Sequence, residues 1–516
     1  MEAYAVEVEK PFSAARVKFD EMATHLQSAV ALGMRHEDLE EYVVREGREL
    51  ERLMLQQHLD LRAAAERPVK VVGEDGIERR QVRASHRRLM SLVGEVTVTR
   101  LLYQAAGYSG RVPQDALLNL PPESFSLGIR RRVAEEVAAN SFDHGTERIT
   151  ATTGARIAKR QVEEEARRAA VDFEAYYAGH WPTDIESEAG KLLVLSFDGA
   201  GLVMLPEDLR EATRRAAEAQ ASEPRWAPKR LKRGQKRNRK RMAEVAAVYA
   251  IEPHVRVPED ILRELRPVQD VEPEKRRPKP SGKRVWASVE RDAETVIEEA
   301  FEEASRRDPE RKRRWVVLVD GQEGQLSLIE AVAARMGVQI TVVLDIIHVI
   351  EYLWRAAYCF HPDGSREAEQ WVQKRLLMLL SGTSPSDVAA GMARSATLQG
   401  IENRDAVERC ADYLCKYRDL LGYARALAEG LPIATGVIEG ACRYLVRDRM
   451  DKTGARWSLA GAEAVLKLRA LRANGDFDDY WRFHLEEEHR RNHAAHYDHS
   501  EIPNPLPTRP RLRRVK

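Results

Sequence analysis

Apolar residues recur with different spacings in successive parts of the chain, and each spacing predicts a different element. Between residues 12 and 65 they fall mostly three or four apart, which predicts helices. Residues 69–72 and 94–103, on either side of the turn signal at 74–76, carry the pattern of half-buried strands. Residues 129–177 return to the helical period. The first part of the chain therefore predicts a helical region, a small β module and a second helical region.

Five short apolar runs then predict the strands of a single sheet. They are residues 192–197, 243–250, 284–289, 315–319 and 340–344. The first three runs are not separated by helices, whereas helices are predicted at 292–306 and 325–336, on either side of the fourth run. This order predicts a mixed α/β sheet flanked by helices. The ribonuclease-H-like fold has this order of elements, and it is the fold class that we expect.

These patterns divide the chain into six predicted regions. At 516 residues, the chain is long enough for about three domains of ordinary size. The regions are a helical N-terminal region (1–66), a small β module (67–125), a helical, helix-turn-helix-like region (126–185), the ribonuclease-H-like core (186–348 and 432–475), an all-helical insertion (349–431) and a C-terminal helix with a disordered basic tail (476–516).

Charge and cysteine content narrow the class of protein. The 83 basic and 82 acidic residues nearly cancel, but they are segregated along the chain, so the net charge of +1 says little about binding partners. The four cysteines follow no metal-binding spacing, and so few of them in a chain of this length indicate a reducing compartment. Residues 1–14 lack the apolar core of a signal peptide, and no stretch is apolar enough to span a membrane. We therefore expect a cytoplasmic protein with no membrane partner.

Three carboxylates carry the candidate chemistry, and each has a sequence context that would hold it at one edge of the sheet. Asp198 and Asp320 directly follow the first and fourth apolar runs. Glu439 belongs to a predicted helix whose apolar side chains would pack on the sheet. Clustered carboxylates repel one another unless a divalent cation neutralises them, so the set predicts a Mg²⁺ or Mn²⁺ site. Two such ions can clamp a phosphodiester between its attacking and leaving oxygens.

Glycine follows both aspartates, as Gly199 and Gly321. The absent side chains would let a phosphate backbone approach the metal closely. A single Asp-Gly after a strand is a common turn, so neither pair is specific by itself. Two pairs in an α/β context, with a downstream glutamate, favour the metal site.

Asp345 competes with Asp320 for the second position because it also follows a predicted strand, and His348 lies close to it in sequence. The expected sheet order favours Asp320, whose strand would lie beside the first strand. Asp345 and His348 would then orient neighbouring groups, or Asp345 would be the alternative acid. For Glu439, the simpler alternative is a salt bridge to Arg443 at the next turn.

Basic residues between the first two predicted core strands form a run that no acidic residue interrupts. Such a run would neutralise DNA phosphates, although a solvated charged loop is the alternative. Its basic residues are Lys229, Arg230, Lys232, Arg233, Lys236, Arg237, Arg239, Lys240 and Arg241.

Two further basic groups are candidates for DNA contact. Arg156, Lys159 and Arg160 lie near the start of the last helix of the helix-turn-helix-like region, where a recognition helix touches DNA, although an ordinary helical bundle explains them equally well. The second group combines cations with an aromatic ring that can stack on an unpaired base. It consists of Arg443, Arg447, Arg449, Arg456 and Trp457. For the tryptophan alone, a place in the core is the commoner explanation.

Several histidines cluster near the C-terminus, among them His484 and His493. Three of the gaps between them are of helical spacing, but no cysteine accompanies them. A polar surface helix is a simpler interpretation than a zinc site.

Several motifs resemble those of bacterial insertion-sequence transposases of the ISKra type. The likeness runs in matching order from about residue 90 to residue 490. It is carried by Leu195-Ser196-Phe197-Asp198-Gly199, the basic run ending at Val245, Val319-Asp320-Gly321, the segment from Leu344 to Trp354, Gly436-Val437-Ile438-Glu439-Gly440-Ala441-Cys442-Arg443, and the segment from Asp448 to Trp457.

This resemblance implies a DDE transposase with a ribonuclease-H-like core, which cuts and joins DNA at the terminal inverted repeats of its own element. The implied triad is Asp198, Asp320 and Glu439, with two Mg²⁺ or Mn²⁺ ions. The implied partners are double-stranded DNA at element ends and target, and further copies of the chain on that DNA. Relatives carry a cysteine pair near the small β module, but residues 103–114 contain none, so that module must fold without metal.

Two alternatives remain open at this point. A structure-selective nuclease on the same fold would cut DNA without joining it. A DNA-binding regulator derived from a transposase would do neither, although the three intact carboxylates argue against it.

Overall fold

The structure, a computed structural model, describes residues 11–179, 191–221, 238–265, 277–452 and 454–507. The chain forms two compact units. The first unit combines Met1–Ala178 with Gly475–Lys516, and the second unit is Gly179–Asn474.

Both units contain strands and helices. The strands are β1 (Gln81–Ser91), β2 (Gly94–Ala105), β3 (Tyr108–Arg111), β4 (Leu192–Val203), β5 (Lys240–Ile251), β6 (Ser281–Ser288), β7 (Trp315–Val319) and β8 (Ile340–Leu344). The helices are α1 (Ser13–Leu26), α2 (Ala29–Leu32), α3 (His36–Ala65), α4 (Pro113–Leu117), α5 (Leu127–Ala139), α6 (Phe142–Thr153), α7 (Lys159–Ala169), α8 (Phe173–Gly179), α9 (Glu211–Ala221), α10 (Pro258–Leu265), α11 (Ala293–Arg307), α12 (Glu323–Met336), α13 (Ile346–Ala357), α14 (Arg366–Leu380), α15 (Pro385–Leu398), α16 (Asp405–Lys416), α17 (Tyr423–Ala428), α18 (Gly436–Ala441), α19 (Asp448–Met450), α20 (Leu459–Asn474) and α21 (Phe477–Asn492).

In the first unit, an antiparallel sheet of β1, β2 and β3 packs against α3. A buried cluster of Leu59, Leu89, Val96 and Val98 joins the helix to the sheet. The prediction of a disordered tail from residue 502 is wrong for the described part of that tail. Ile502 packs on a second apolar cluster of this unit, and residues 508–516 lie outside the described residues.

Three local predictions in the first unit are corrected by the structure. Residues 69–72 were predicted as a strand but form only one bridge, at Val72. Strand β1 was not predicted, because its first residues are exposed and show no apolar pattern. The break expected at 143–145 lies at 140–141, because the Ser141 side chain accepts a hydrogen bond from the His144 amide and caps α6. The last helix of the region begins at Lys159 rather than near Gly154, because Gly154, with φ of 71°, ends α6.

In the second unit, five strands form a mixed sheet in the order β6-β5-β4-β7-β8. Strands β4, β5 and β6 are antiparallel neighbours, whereas β7 and β8 run parallel to β4. The predicted mixed α/β sheet is therefore confirmed. The prediction that no helix separates its first three strands is wrong, because α9 lies between β4 and β5 and α10 lies between β5 and β6. Helices α11, α18 and α20 pack against its strands, and β7, which is buried along its whole length, lies in the core.

Strands β7 and β8 have the predicted bounds, but β4 is longer than predicted and continues to Val203. Strand β5 explains the extension, because it pairs with β4 from Leu192 to Val203 and supplies backbone partners along that whole length. Residues 346–428, between β8 and α18, contain helices α13 to α17. Within the described residues, no helix is both long enough and apolar enough to cross a bilayer.

Candidate functional site

Asp198 lies in the middle of β4 rather than at its end, opposite Val245 of β5. Strand β7 pairs with β4 only over residues 193–196, so Asp198 lies just past the parallel part of the sheet. Its side chain is partly buried, and its carboxylate accepts a hydrogen bond of 2.6 Å from the Gly199 amide. The end of this parallel pairing, rather than the end of the strand, leaves room beside the carboxylate.

Asp320 follows β7 directly, and the register of the sheet places it beside Asp198. Ser196 of β4 is aligned with Leu318 of β7, and each aspartate lies two residues farther along its strand. Parallel neighbours are about 4.8 Å apart, so continuing the register of β4 and β7 places the two residues at adjacent positions just past the last paired residues. The Gln322 amide donates a 2.9 Å hydrogen bond to the Asp320 carboxylate and fixes the turn after the strand.

Asp345 follows β8 and continues the same row one strand farther out, as its position in the sequence predicted. Unlike Asp320, it is fully buried, and both of its carboxylate oxygens are engaged. One accepts a 3.0 Å bond from the Thr435 amide, and the other lies 2.8 Å from Nδ1 of His348. This hydrogen bond, with the negative charges of Asp345 and Asp320, raises the pKa of His348 against the opposing effect of burial.

Glu439 reaches the site from α18, which packs against β4 and β5. Its exposed carboxylate accepts a 3.3 Å hydrogen bond from the Thr435 hydroxyl, while the Thr435 amide holds Asp345. Ligand atoms of Asp345, His348 and Glu439 lie within 4.8 Å of one another. The alternative salt bridge from Glu439 to Arg443 does not form, because Arg443 pairs with Asp448 at 3.5 Å.

Cys442, one helical turn after Glu439, connects the helix to Asp198. Its thiol is fully buried and lies within hydrogen-bonding reach of the Asp198 carboxylate. Burial, the charge and hydrogen bond of Asp198 and the charge of Glu439 together raise the pKa of the Cys442 thiol. The helix then widens into a π-helical turn at Cys442–Arg447, a distortion that often accompanies functional sites. Glu439 and Asp198 therefore lie close to the same side chain.

Glu244 is an acid at this site that sequence reasoning missed. It lies on β5 opposite Gly199, the residue after Asp198. Burial raises its pKa, and the charges of Asp198 and Asp292 add to this effect, whereas Arg210 opposes it. A polar residue inside the otherwise apolar second run of strand residues was the only signal in the sequence.

The residues present fit a divalent cation. Across the described residues, Asp198, Asp320 and Glu439 form no ion pair with a lysine, arginine or histidine. Among the described residues, Asp198 and Asp320 belong to no group of three Asp, Glu, His or Cys side chains with ligand atoms within 4.8 Å of one another, whereas Glu439 forms one with Asp345 and His348. Hard carboxylate oxygens of this kind suit Mg²⁺ or Mn²⁺.

Only the end of the predicted basic run is described. Residues 229–237 lie outside the described residues. Arg239 and Lys240 are exposed, and Lys240 pairs with Asp451 at 3.0 Å. Arg241 donates hydrogen bonds to the carbonyls of Val289 and Glu290, so it ties β5 to the end of β6 rather than facing solvent.

The second cationic group is divided by burial. Arg443, Arg447 and Arg456 are exposed. Arg449 and Trp457 are each 4% exposed and pack together, with the guanidinium 5.0 Å from the ring centroid. The indole donates a hydrogen bond to the Met450 carbonyl. The prediction that these two side chains contact DNA is therefore corrected, because both are core residues supporting the end of β4.

The three basic residues of the helix-turn-helix-like region are exposed. Arg156 precedes α7, Lys159 begins it and pairs with Asp143 at 2.7 Å, and Arg160 pairs with Glu164 at 3.1 Å. Helices α5, α6 and α7 contact one another. This arrangement is compatible with both interpretations of the region, a DNA-binding motif and an ordinary bundle.

Comparison with known proteins gives no family. No model of a known protein family matches the chain, and no curated protein matches it.

Proposed function

We propose that the chain is a DDE transposase with a ribonuclease-H-like core, which cleaves DNA at the ends of an insertion sequence and joins the freed end to target DNA. The observation that carries the proposal is the alignment of β4 with parallel β7, because Asp198 and Asp320 each lie two residues past the last aligned pair. Glu439 approaches Asp198 from α18, and none of the three has a basic partner among the described residues. Carboxylates without a basic partner keep their oxygens available to a cation.

The strand order supports the finer fold assignment. An antiparallel β4-β5-β6 unit is extended by parallel strands β7 and β8, with the acid-bearing helix packed on β4 and β5. This is the arrangement that the resemblance implies for a ribonuclease-H-like core.

Asp198, Asp320 and Glu439 would hold Mg²⁺ or Mn²⁺, which when bound neutralises charge on a phosphodiester and activates an attacking oxygen. Asp345 has a different role, because its oxygens are already engaged by Thr435 and His348. It orients the turn that begins α18 and so holds Glu439 in place.

Exposed cations of the second unit would hold the DNA backbone. They are Arg239, Lys240, Arg443, Arg447 and Arg456. Phosphate contacts of this kind supply affinity that falls with added salt and is independent of base sequence. The partner is therefore double-stranded DNA, bound by more than one copy of the chain if two ends are processed together.

Replacing Asp198 or Glu439 by alanine should reduce cleavage of end DNA to background, because the metal would lose a ligand, while binding of that DNA persists. Cleavage of a labelled end fragment and its mobility shift measure the two effects. Asp363→Ala, at an exposed loop position, is the matched control and should cut normally. Cleavage that survives Asp198→Ala would refute the assignment.

The same assay separates the second acid from its competitor. Asp320→Ala should abolish cleavage, whereas Asp345→Ala should lower it by about 10 to 100-fold, the usual effect of removing a group that orients a ligand. Equal and complete loss would instead make Asp345 a direct ligand. Joining of a pre-cleaved end to target DNA distinguishes a transposase from a nuclease, which cuts without joining.

A further inference from the structure

Carbonyl groups just after β7 and at the end of β8 receive hydrogen bonds from tyrosines in the segment between β8 and α18. Tyr413, near the end of α16, donates to the Asp320 carbonyl at 3.2 Å. Tyr417, at the end of the same helix, donates to the Gly321 carbonyl. Tyr423, which begins α17, donates to the Leu344 carbonyl at 3.0 Å. Each phenol thus holds the main chain of a candidate acid or of the residue next to one.

These three residues, which we call the tyrosine clamp, provide partners that the sheet cannot. Buried carbonyls require a hydrogen-bond donor, and a carbonyl beyond the last residue of a strand has none within the ladder. Tyr413 and Tyr417 are less than a tenth exposed, and Tyr423 is fully buried. Burial raises the pKa of Tyr413 and Tyr423, so both phenols keep their proton and remain donors.

The clamp also explains why residue 321 is a glycine. This explanation fits the structure better than the earlier one, in which the missing side chain lets a phosphate approach the metal. Gly321 has φ of 94°, a conformation that side chains disfavour. A Cβ there would lie 3.1 Å from the Leu344 side chain, 3.3 Å from Tyr417 Cζ and 3.4 Å from the Tyr413 hydroxyl. The turn after Asp320 therefore fits tightly between the clamp and β8, and a side chain there would have to displace its neighbours.

Neighbouring side chains hold the clamp itself. Tyr352 of α13 stacks on Tyr413, with ring centroids 4.1 Å apart and planes 13° apart. Lys416, the last residue of α16, pairs with Glu323 at 2.5 Å, at the start of the helix that follows Asp320. The position of α16 is thus fixed on both sides of the Asp320 turn.

We propose that Tyr413, Tyr417 and Tyr423 are positioning residues for the carboxylate site, acting through the main chain of Asp320 and Asp345. The proposal rests on the proposed function for the identity of the metal site. Its physical basis is that a metal ligand must be held within a fraction of an ångström to bind its ion well, and that the groups around a ligand supply this precision. The helices between β8 and α18 would then be part of the catalytic centre without touching the metal.

The test uses the full chain carrying Tyr413→Phe together with Tyr417→Phe, which removes both hydroxyls and keeps both rings. We expect the Mn²⁺ concentration for half-maximal binding, measured by electron paramagnetic resonance, to rise by about 10 to 100-fold. The Mg²⁺ concentration for half-maximal cleavage of end DNA should rise in parallel, with cleavage at saturating Mn²⁺ largely restored. Tyr423→Phe alone should give a smaller shift, because Leu344 precedes the orienting Asp345.

Tyr480→Phe is the matched control. Tyr480 is fully buried and donates 2.7 Å to the Ala169 carbonyl in the first unit, so its loss removes the same kind of bond where there is no candidate metal ligand. Both variants should lose thermal stability, the clamp variant more because it loses two hydrogen bonds and the control loses one. Only the clamp variant should change metal dependence, and equal metal dependence in the two would overturn the proposal.

The two proposals fail in different ways. Wild-type protein that binds Mn²⁺ and loses affinity in the clamp variant, but never cuts DNA, would support the clamp and refute the transposase. If the wild-type protein cuts DNA and the clamp variant needs the same metal concentration, only the proposal that the tyrosines position the metal site is refuted. Wild-type protein that binds no Mn²⁺ would refute both.

Discussion

Each of the two units contains a set of carboxylates of interest. Basic side chains neutralise the set in the first unit but not the set in the second unit. In the first unit, buried Arg130 donates to Glu123, Glu165 and Glu488 at 2.7–2.9 Å. Asp172 accepts hydrogen bonds from His484 and from Arg491. In the second unit, Asp198, Asp320 and Glu439 have no basic partner among the described residues. One group is neutralised by the protein, and the other is not.

This contrast shows that spacing alone does not identify a metal site. Asp172, His484 and Glu488 bring ligand atoms within 4.8 Å of one another, as Asp345, His348 and Glu439 do. The first group is buried and already bound by arginines, whereas Glu439 is exposed. Buried charges are costly unless paired, so the first group is a structural network. The accessible carboxylates of the second unit remain available to a ligand that is not part of the chain.

The largest expected effect comes from breaking the neutralised group. Arg130→Met would leave Glu165 and Glu488 buried without their cation, and should lower the free energy of unfolding by about 3 to 5 kcal/mol. Urea unfolding measures the loss. Arg132→Met, which removes a more exposed partner of Glu135, should cost at most about 1 kcal/mol. Similar losses in the two variants would mean that the network contributes nothing special.

A smaller effect of opposite sign is expected at the unpaired group. Asp198→Asn removes one of several like charges, so it should stabilise the second unit in EDTA rather than destabilise it. With Mg²⁺ at about 100 times its dissociation constant, the wild type should gain about 2.7 kcal/mol, and the variant much less. Thermal unfolding with and without the ion measures both changes. Destabilisation of the metal-free variant would show that Asp198 has a structural partner instead.

The smallest effect is a pH dependence of the first unit. Burial acts to raise the pKa of Asp172, but hydrogen bonds from His484 and Arg491 outweigh it and lower that pKa to about 2. Because this pKa is below the unfolded value of about 3.9, the stabilisation is complete above pH ~4 and is lost as the pH falls toward 2. It amounts to about 2 kcal/mol.

Urea unfolding at a series of pH values, compared with Asp172→Asn, isolates this contribution. In the variant, the free energy of unfolding should no longer show the fall between pH 4 and pH 2 that the pKa of about 2 for Asp172 predicts. An unchanged profile would show that Asp172 keeps an ordinary pKa.

The sequence predicted the local context of Asp320, Asp345 and Glu439 well, whereas Asp198, expected at the end of a strand, lies in the middle of β4. The apolar runs ending at Val319 and Leu344 are strands with the predicted bounds. The first is buried along its whole length, as expected of a short apolar run in a parallel sheet, whereas only the last two residues of the second are buried. The apolar face of the Glu439 helix is buried at Ile438, Ala441 and Cys442, as its spacing indicated. These features depend on residues that are near one another in the chain.

Features that depend on distant residues were missed or misassigned. Arg449 and Trp457 looked like DNA contacts in sequence but stack on each other in the core. His484, expected on a polar surface helix, is fully buried against Asp172. Tyr413 and Tyr417 gave no signal, because their partners are carbonyls some ninety residues earlier in the chain. No local pattern encodes such contacts.

The most direct measurement is anomalous diffraction from crystals of the full chain grown with Mn²⁺. We predict a peak between Asp198, Asp320 and Glu439, and none at Asp172, His484 and Glu488. A peak found only at Asp172, His484 and Glu488 would contradict the proposal that the carboxylates without a basic partner form the catalytic centre. So would a lysine or arginine side chain bound to Asp198, Asp320 and Glu439 in place of the ion.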